Sequence, residues 1–325
     1  MARETPNEAR ERAMKRFQKT LVIFDSEARD GTALHLAFLL AQHSGGTLTV
    51  AHMIPPLPQD VPYDLTGMDD LNQVLLEAAQ SSLDSAVEKL PDSDVPIDTR
   101  VLRGHTAMEV TRAVLADGYD MVVKGTGTGN KRRGPFLDSV DMRLLRKCPC
   151  PVWLVKPGVH EELHRIVAAV DPTNTEVDHQ ELNESIIELG LSMAETAGAE
   201  FHVLHAWTPW GKSLLRHKIR SEEFDGYTLQ VRTRAAKAFQ ELLRPYDDVI
   251  PLINRHLLEG EPEEVVPEFV HDKEVDVVLM GTVGRTGVPG FLIGNTAEMI
   301  LGQVESSVLA VKPRGFVTPV ELEED

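Results

Sequence analysis

The chain has 325 residues, of which 42% are hydrophobic, and this length is sufficient for two ordinary domains. Lys and Arg number 33 against 51 Asp and Glu, and the net charge of −18 disfavours nucleic acid and anionic membranes as partners. No apolar run approaches the roughly 20 residues of a membrane span. The charged stretch MARETPNEARERAMKRF lacks the apolar segment of a secretory signal, so we expect a cytoplasmic protein.

The two halves of the chain have the same predicted order of strands and helices. In the first half the strand TLVIFD ends at Asp25, and the strands TLTVAHMI, DTRVLRG, DMVVK and VWLVKP follow with helices between them. In the second half RIVAAVD ends at Asp171, and FHVLHAW, INRHLLEG, DVVLM and VLAVKP follow. The first helix of the second half has apolar residues three and four positions apart, which indicates one buried stripe, and Gly198 is its predicted C-cap.

The second half is a copy of the first. A shift of 156 positions aligns Leu102 with Leu258, Asp120 with Asp276 and PVWLVKP with SVLAVKP, without an insertion. Apolar strands that alternate with helices predict a parallel sheet covered on both faces. We therefore predict two tandem Rossmann-like α/β domains, each with a five-stranded parallel sheet, at 18–157 and 163–313, with flexible ends at 1–17 and 314–325.

The stretch GTVGRTGVPGFLIGNT, which follows DVVLM, is the candidate ligand loop. Ligands of open parallel sheets bind beyond the carboxyl ends of the strands. Gly281 and Gly284 can take positive φ and let a phosphate approach the backbone, and Gly294 precedes the predicted last helix, whose free N–H groups favour an anion. Ordinary turn glycines and an ordinary cap are the alternative.

The spacing G-x-x-G, nine residues, then G-N-T, together with VVLMGTVGRTG and SVLAVKP, resembles the ATP-binding motif of universal stress proteins. The whole chain resembles the tandem, UspE-like type of that family. The resemblance implies a stress-response regulator that binds ATP or another adenine nucleotide, with or without Mg²⁺. It also implies that the halves pair through VWLVKP and VLAVKP as an intrachain pseudo-dimer.

Carried over by position, the resemblance gives a set of nucleotide-binding residues in the second half. Asp171 and Ala206 would lie on the adenine side, and the remaining candidates would lie around the ribose and phosphates: Met280, Gly281, Gly284, Gly294, Asn295 and Thr296. Asn295 departs from the usual Ser or Thr, and Thr296 can supply the hydroxyl in its place.

The first half carries a degraded copy of the loop. The alignment places Thr128 on Gly284, Asp138 on Gly294 and Lys124 on Met280. An Asp at the phosphate position is negatively charged and would repel a phosphate. The favoured interpretation is a degenerate site in which Lys124 pairs with Asp138 or Asp25, and the alternative is a different anion bound by Lys124 or Lys131.

Other motifs are predicted to be structural. AWTPWGKS (206–213) lacks the glycines of a phosphate loop, and we expect an exposed surface around Trp207 and Trp210. Cys148 and Cys150 cannot complete a zinc site and are predicted to be reduced. His52 and His205 are predicted to be packed strand histidines, and no metal-binding spacing occurs.

Two functions remain open. The first is the nucleotide-binding regulator, with at most slow ATP hydrolysis, because phosphoryl transfer needs a base and a charge clamp and only Arg285 lies near the loop. The second is a nucleotide-independent scaffold or small-molecule binder, with an apolar cavity formed by the segments 54–90 and 207–245.

Overall fold

The computed structural model describes residues 17–24, 31–56, 68–127, 137–157, 162–216, 218, 220–282 and 293–322. Within these residues ten strands form a single sheet: β1 Lys19–Phe24, β2 Thr47–Ile54, β3 Ile97–Arg103, β4 Met121–Gly125, β5 Val152–Val155, β6 Arg165–Ala169, β7 Glu200–Trp207, β8 Arg255–Glu259, β9 Val277–Gly281 and β10 Ser307–Val311. The main helices are α1 Thr32–Ser44, α2 Met68–Val87, α3 Thr106–Asp117, α4 Ser139–Lys147, α5 Val177–Ala197, α6 Ser221–Leu243, α7 Pro262–Asp272 and α8 Asn295–Leu301. None of the described helices is long and apolar enough to cross a bilayer.

The strand order is β3-β2-β1-β4-β5-β10-β9-β6-β7-β8, so each half contributes five parallel strands in the same relative order. The two halves meet where β5 pairs with β10 in antiparallel orientation, with Trp153 opposite Leu309. The strand pairing expected from VWLVKP and VLAVKP is therefore present. The two predicted five-stranded sheets form one continuous ten-stranded sheet.

Each face of the sheet is covered by helices from both halves. One core contains the apolar sides of α1, α2, α5 and α6, and the other contains those of α3, α4, α7 and α8. The central strands are apolar except for Ser307 because both of their faces are buried, as the sequence predicts. Gly198 caps α5 with φ 66°, which confirms the predicted helix end.

The segments 54–90 and 207–245, which sequence analysis considers only as walls of a cavity, contain the long helices α2 and α6. Helix α6 spans 23 residues but buries only Phe224, Ala235, Phe239 and Leu243. Only Ala235, Phe239 and Leu243 follow the four-residue spacing of a buried stripe, so the periodic signal is confined to the last part of the helix.

Equivalent aspartates fix the start of each half. The Asp120 carboxylate accepts hydrogen bonds from the backbone N–H groups of Gln18 and Lys19, at 2.7 and 3.1 Å. The Asp276 carboxylate accepts from His164 and Arg165 in the same way, at 2.7 and 2.8 Å. Burial raises the pKa of Asp120, and these N–H donors oppose that rise. The alignment of Asp120 with Asp276 thus reflects a shared structural contact.

A pair of histidines links β7 to the edge strand β8. The His202 Nδ1 and His256 Nε2 atoms are 3.0 Å apart, and the His256 ring lies 4.6 Å from the ring of Phe269. Desolvation, with the neighbouring His202 and Lys273, lowers the pKa of His256 to about 4. Desolvation likewise lowers the pKa of His202. Both rings are therefore neutral at pH 7.

We predict that acid weakens the fold through His256. Its pKa is lower in the folded state than the ordinary value of 6.5, so the unfolded chain binds the proton more readily and stability falls as the pH drops from about 6.5 to about 4. Because the ring is half-buried, we expect a loss of about 1 kcal/mol from this group. Urea unfolding at several pH values should give a shallower acid slope for His256→Gln than for the wild type. The exposed His271→Gln is the control, and an unchanged slope in His256→Gln would contradict the prediction.

Candidate functional site

The candidate site of the second half lies at the carboxyl edge of its strands. Strand order reverses between β6 and β9, which pair in parallel with Ala169 opposite Met280. The chain leaves β6 and β9 at this edge in different directions, and Ala206 lies near the end of β7 beside them. The edge beyond such a reversal of strand order is the usual ligand position in open parallel sheets.

Asp171 follows β6 and is held in a turn. Its Oδ1 accepts hydrogen bonds from the backbone N–H of Thr173 at 3.3 Å and from the Thr173 hydroxyl at 2.7 Å. The Asn183 side chain bonds both the N–H and the C=O of Asp171, at 3.0 and 2.9 Å. Asp171 thus terminates the strand in a turn, a structural role that needs no ligand.

The structure explains the glycine at position 281 by packing and not by positive φ. It is not among the glycines with positive φ, and it ends β9 in a strand conformation. A Cβ added there would lie 2.8 Å from Cδ2 of Leu182 on α5. The expectation of positive φ at Gly281 is therefore wrong, because close packing of α5 on the strand end explains the glycine. Gly284 and Arg285 lie outside the described residues.

The start of α8 carries the remaining candidates. Gly294 is the N-cap, with φ −62° and ψ 144°, and among the described residues no side-chain hydrogen bond caps the helix. The backbone N–H of Gly294 donates to the carbonyl of Thr282 at 3.0 Å, which ties the start of the helix to the end of β9. Asn295 and Thr296 are exposed. Their side chains do not cap the helix.

Sequence analysis did not single out Thr282, although it aligns with Thr126. In the first half the Thr126 hydroxyl donates to the carbonyl of Val155 at 3.2 Å. In the second half Thr282 is fully buried, and its hydroxyl has no hydrogen-bond partner among the described residues. The contact that the two threonines share is made by the backbone: the N–H of Thr126 donates to the carbonyl of Val155 at 2.8 Å, and that of Thr282 donates to the carbonyl of Val311 at 3.4 Å. The identity of the two residues in the repeat was the available signal for this contact.

In the first half the equivalent helix start is occupied by the protein's own carboxylates. Asp138 is the N-cap of α4, and its Oδ1 accepts from the N–H groups of Val140 and Asp141 at 2.7 and 2.8 Å. The Asp141 Oδ2 atom accepts a hydrogen bond from the N–H of Asp138 at 3.0 Å, which completes a capping box. The donors that would face a phosphate are thus already satisfied.

A buried ion pair fills the rest of this position. Lys124 Nζ lies 2.9 Å from Oδ1 of Asp141, whose side chain is 0% exposed. Burial raises the pKa of Asp141, and the Lys124 ammonium opposes the rise. The predicted partners of Lys124 were Asp138 or Asp25. The assignment to Asp138 is wrong, because that carboxylate faces the helix N–H groups, and Asp25 and Lys131 lie outside the described residues.

The remaining motifs serve structural roles. Trp210 is 81% exposed but Trp207 is 6% exposed, so the prediction of exposure is wrong for Trp207, which belongs to a buried strand end. Lys212 Nζ pairs with Glu259 Oε1 at 2.7 Å instead of facing a phosphate. His205 is buried with its Nδ1 3.0 Å from the carbonyl of Val170.

Cys148 and Cys150 are buried free thiols with their sulfur atoms 3.5 Å apart, as the prediction of reduced cysteines requires. Within the described part of the chain, no three His, Cys, Asp or Glu side chains are grouped to hold a metal ion.

The comparisons with known proteins agree with this architecture. The model of the universal stress protein family matches residues 16–156 and again 162–312. The chain therefore belongs to the universal stress protein family, with two such domains in tandem. It is 29% identical to universal stress protein E of Escherichia coli K12 over 327 aligned positions, which cover 96% of this chain and 99% of that protein. The homologue from Haemophilus influenzae is 26% identical over 92% of this chain and 98% of its own length.

Solved structures give the same result. A protein of unknown function from Pseudomonas aeruginosa PAO1 is similar over 93% of this chain and 94% of its own, with 25% identity and a TM-score of 0.68. One universal stress protein that covers 46% of this chain, with 15% identity and a TM-score of 0.28, was solved in complex with cAMP.

We predict that loss of Lys124 alone destabilises the fold more than loss of Lys124 and Asp141 together. In Lys124→Met, which copies Met280, the buried Asp141 loses its cation. Removal of one partner of a buried ion pair lowers the free energy of unfolding by about 3–5 kcal/mol. We expect a smaller loss here because Lys124 is partly exposed. The double variant Lys124→Met with Asp141→Ala, which copies Met280 and Ala297, should recover most of that loss. Urea unfolding of both variants checks this. A single variant as stable as the wild type would contradict the prediction.

Proposed function

We propose that the second domain of this chain binds an adenine nucleotide, ATP with or without Mg²⁺, and acts as a stress-response regulator with little or no catalysis. The observation that carries the proposal is the contrast between the two helix starts. α8 begins at Gly294 without a side-chain cap, whereas Asp138 occupies the first turn of α4. The positive end of an uncapped helix favours a phosphate.

The proposed contacts follow the motif of the family. Gly284 and Gly294 would leave room for the ribose and phosphates, Gly281 would contribute its backbone, and Asn295 and Thr296 present exposed polar groups. Asp171 and Ala206 would border the adenine, and Met280 would lie beneath it at the strand end. Asp171 is oriented by Thr173 and Asn183, which pre-organises its carboxylate.

Nucleotide binding would act by shifting the population of conformations at the loop 281–296 and α8. The two halves, which we place at 18–157 and 163–313, would form an intrachain pseudo-dimer through β5 and β10. Because α4 and α8 are joined by the Arg146–Glu298 ion pair at 3.0 Å, a change at α8 can reach the first domain directly.

A nucleotide-independent scaffold or small-molecule binder is the second candidate function. It is favoured by the filled site of the first domain, where carboxylates and Lys124 occupy the ligand position. The two candidates differ in what copurifies with the chain. An adenine nucleotide supports the first, and its absence together with another bound compound supports the second.

The first experiment is to denature the purified protein and quantify released nucleotide by chromatography with mass detection. We expect about one adenine nucleotide per chain. Two per chain would mean that the first domain also binds one. If none is released and ATP with Mg²⁺ gives no thermal shift, the proposal fails.

We predict that Gly294→Asp abolishes nucleotide binding without unfolding the protein. The new carboxylate would cap α8 as Asp138 caps α4, which stabilises a helix by only a few tenths of a kcal/mol relative to a glycine cap, and it would repel the phosphates. Thermal unfolding with and without ATP measures both effects. Gly294→Asn is the matched control, because it can cap without the charge and should bind more tightly than Gly294→Asp. Equal loss in both variants would assign the effect to the side chain's size.

A further inference from the structure

Two cysteine side chains meet where the first domain joins the second. Cys148 ends helix α4 as its C-cap, and Cys150 precedes strand β5, with Pro149 between them. Their Sγ atoms are 3.5 Å apart, and the two residues are 0% and 9% exposed. A zinc site is excluded here because structural zinc needs four ligands. Two thiolates can instead form the whole ligand set of a soft monovalent cation such as copper(I).

Lys312 of the second domain lies beside this pair. It follows β10, where Ala310 pairs with Val152 of β5. The same antiparallel register, continued by two residues, brings Lys312 level with Cys150. Side chains alternate along a strand, and Ala310 belongs to the same core as Cys148 and Cys150. The Lys312 side chain therefore points to the face of the sheet that carries both sulfur atoms.

The Lys312 ammonium is a buried charge without an anionic partner among the described residues. The residue is 8% exposed, and its Nζ atom has no hydrogen-bond partner in the described structure. The centroid of the Phe316 ring lies 4.7 Å from Nζ, which attracts the cation but supplies no negative charge. Burial lowers the pKa of Lys312 to about 8, and its interaction with Cys148 opposes that fall. A buried cation of this kind is costly unless an anion balances it.

The equivalent lysine of the first domain has a hydrogen-bond acceptor. Lys156 aligns with Lys312 in the repeat, and its Nζ atom donates to the backbone carbonyl of Glu305. On that side of the junction, Val304 and Ser306 stand at the positions of the two cysteines. The lysine that lacks an acceptor is therefore the one that faces the two thiols.

We propose that Cys148 and Cys150 bind one copper(I) ion as a two-coordinate bis-thiolate, with Lys312 as the counter-charge. Binding transfers the two thiol protons to solvent and leaves two thiolates around one monovalent cation, a unit with a single negative charge. The Lys312 ammonium neutralises that charge. A divalent cation on the same thiolates would give a neutral unit and leave Lys312 without an anion, so the site favours a monovalent ion. It uses none of the candidate nucleotide residues.

The observed arrangement needs only a small change to hold the ion. Metal–thiolate bonds of about 2.3 Å place two sulfur atoms roughly 4.6 Å apart in a linear unit, so each sulfur needs to move by about 0.5 Å from the observed 3.5 Å separation. Small rotations about χ1 supply this movement and stay within one rotamer well. Pro149 and Pro151, which flank Cys150, are partly exposed, so the ion can reach the sulfur atoms from the surface of the loop 148–151.

The test is a copper(I) titration of the reduced full chain without oxygen, in competition with the chromophoric chelator bicinchoninate. We expect the chain to withdraw one copper(I) ion per molecule from the chelator, and an excess of Zn²⁺ should not displace it. X-ray absorption of the loaded protein should show two sulfur ligands. A ligand set without two sulfur atoms means an adventitious ion only and overturns the proposal.

Three variants assign the ligands and the counter-charge. The double variant Cys148→Ser with Cys150→Ser should lose affinity on the order of a hundredfold or more, because the thiolates are the ligands. Lys312→Met should weaken binding about tenfold, because the copper–thiolate unit then has an unbalanced charge. Lys156→Met removes the same charge from the equivalent lysine and should leave the affinity unchanged.

Circular dichroism checks that each variant is folded. If the double serine variant does not fold, the single variant Cys150→Ser, at the more exposed sulfur, replaces it. The proposal is overturned if the wild type withdraws no copper(I), if the folded serine variant binds like the wild type, or if Lys312→Met binds as tightly as Lys156→Met.

Discussion

The antiparallel pairing of β5 with β10 is the contact on which the rest of the molecule depends. Each half ends in a strand whose two faces are buried, and an unpaired edge of that kind would leave backbone N–H and C=O groups without partners. The pairing satisfies these groups within one chain. It also places Trp153 opposite Leu309 in the core and brings the helices of both halves onto common faces of one sheet.

The direction of this pairing determines where ligands can bind. Because β5 and β10 are antiparallel, the carboxyl ends of the two sets of parallel strands lie at opposite edges of the sheet. The site at Gly294 and the filled site at Asp138 are therefore on opposite edges. A cavity of about 480 Å³ beside Tyr246 and Asn254 lies at the amino end of the second domain's strands, on the same edge as the filled site of the first. The candidate nucleotide site thus lies on one edge of the sheet, and the cavity beside Tyr246 lies on the other.

The two copies of the domain differ through a few charged residues. In the first copy Asp138 satisfies the helix N–H groups and Lys124 neutralises Asp141, so the site is closed by interactions that stabilise the native state. In the second copy glycine, methionine and alanine stand at the aligned positions, and the helix start has no side-chain cap. A carboxylate of the protein and a phosphate of a ligand have the same preference for a helix N-terminus, so occupation by one excludes the other.

The pairing of the two last strands was implied by the resemblance to universal stress proteins, whereas the sequence by itself determined the duplication, the strand order along the chain and the helix end at Gly198. These features depend on local periodicity and on residues repeated at a fixed offset, both of which are written directly in the chain. It did not determine the partner of Lys124, the reason for Gly281, the burial of Trp207 or the cavity at Tyr246. Each of these depends on which side chains from distant elements meet. Asp141 meets Lys124 because helix α4 packs over the end of β4, and Leu182 fills the space at Gly281 because α5 crosses β9. Such contacts between distant segments are decided by packing in three dimensions, for which one sequence carries no local signal.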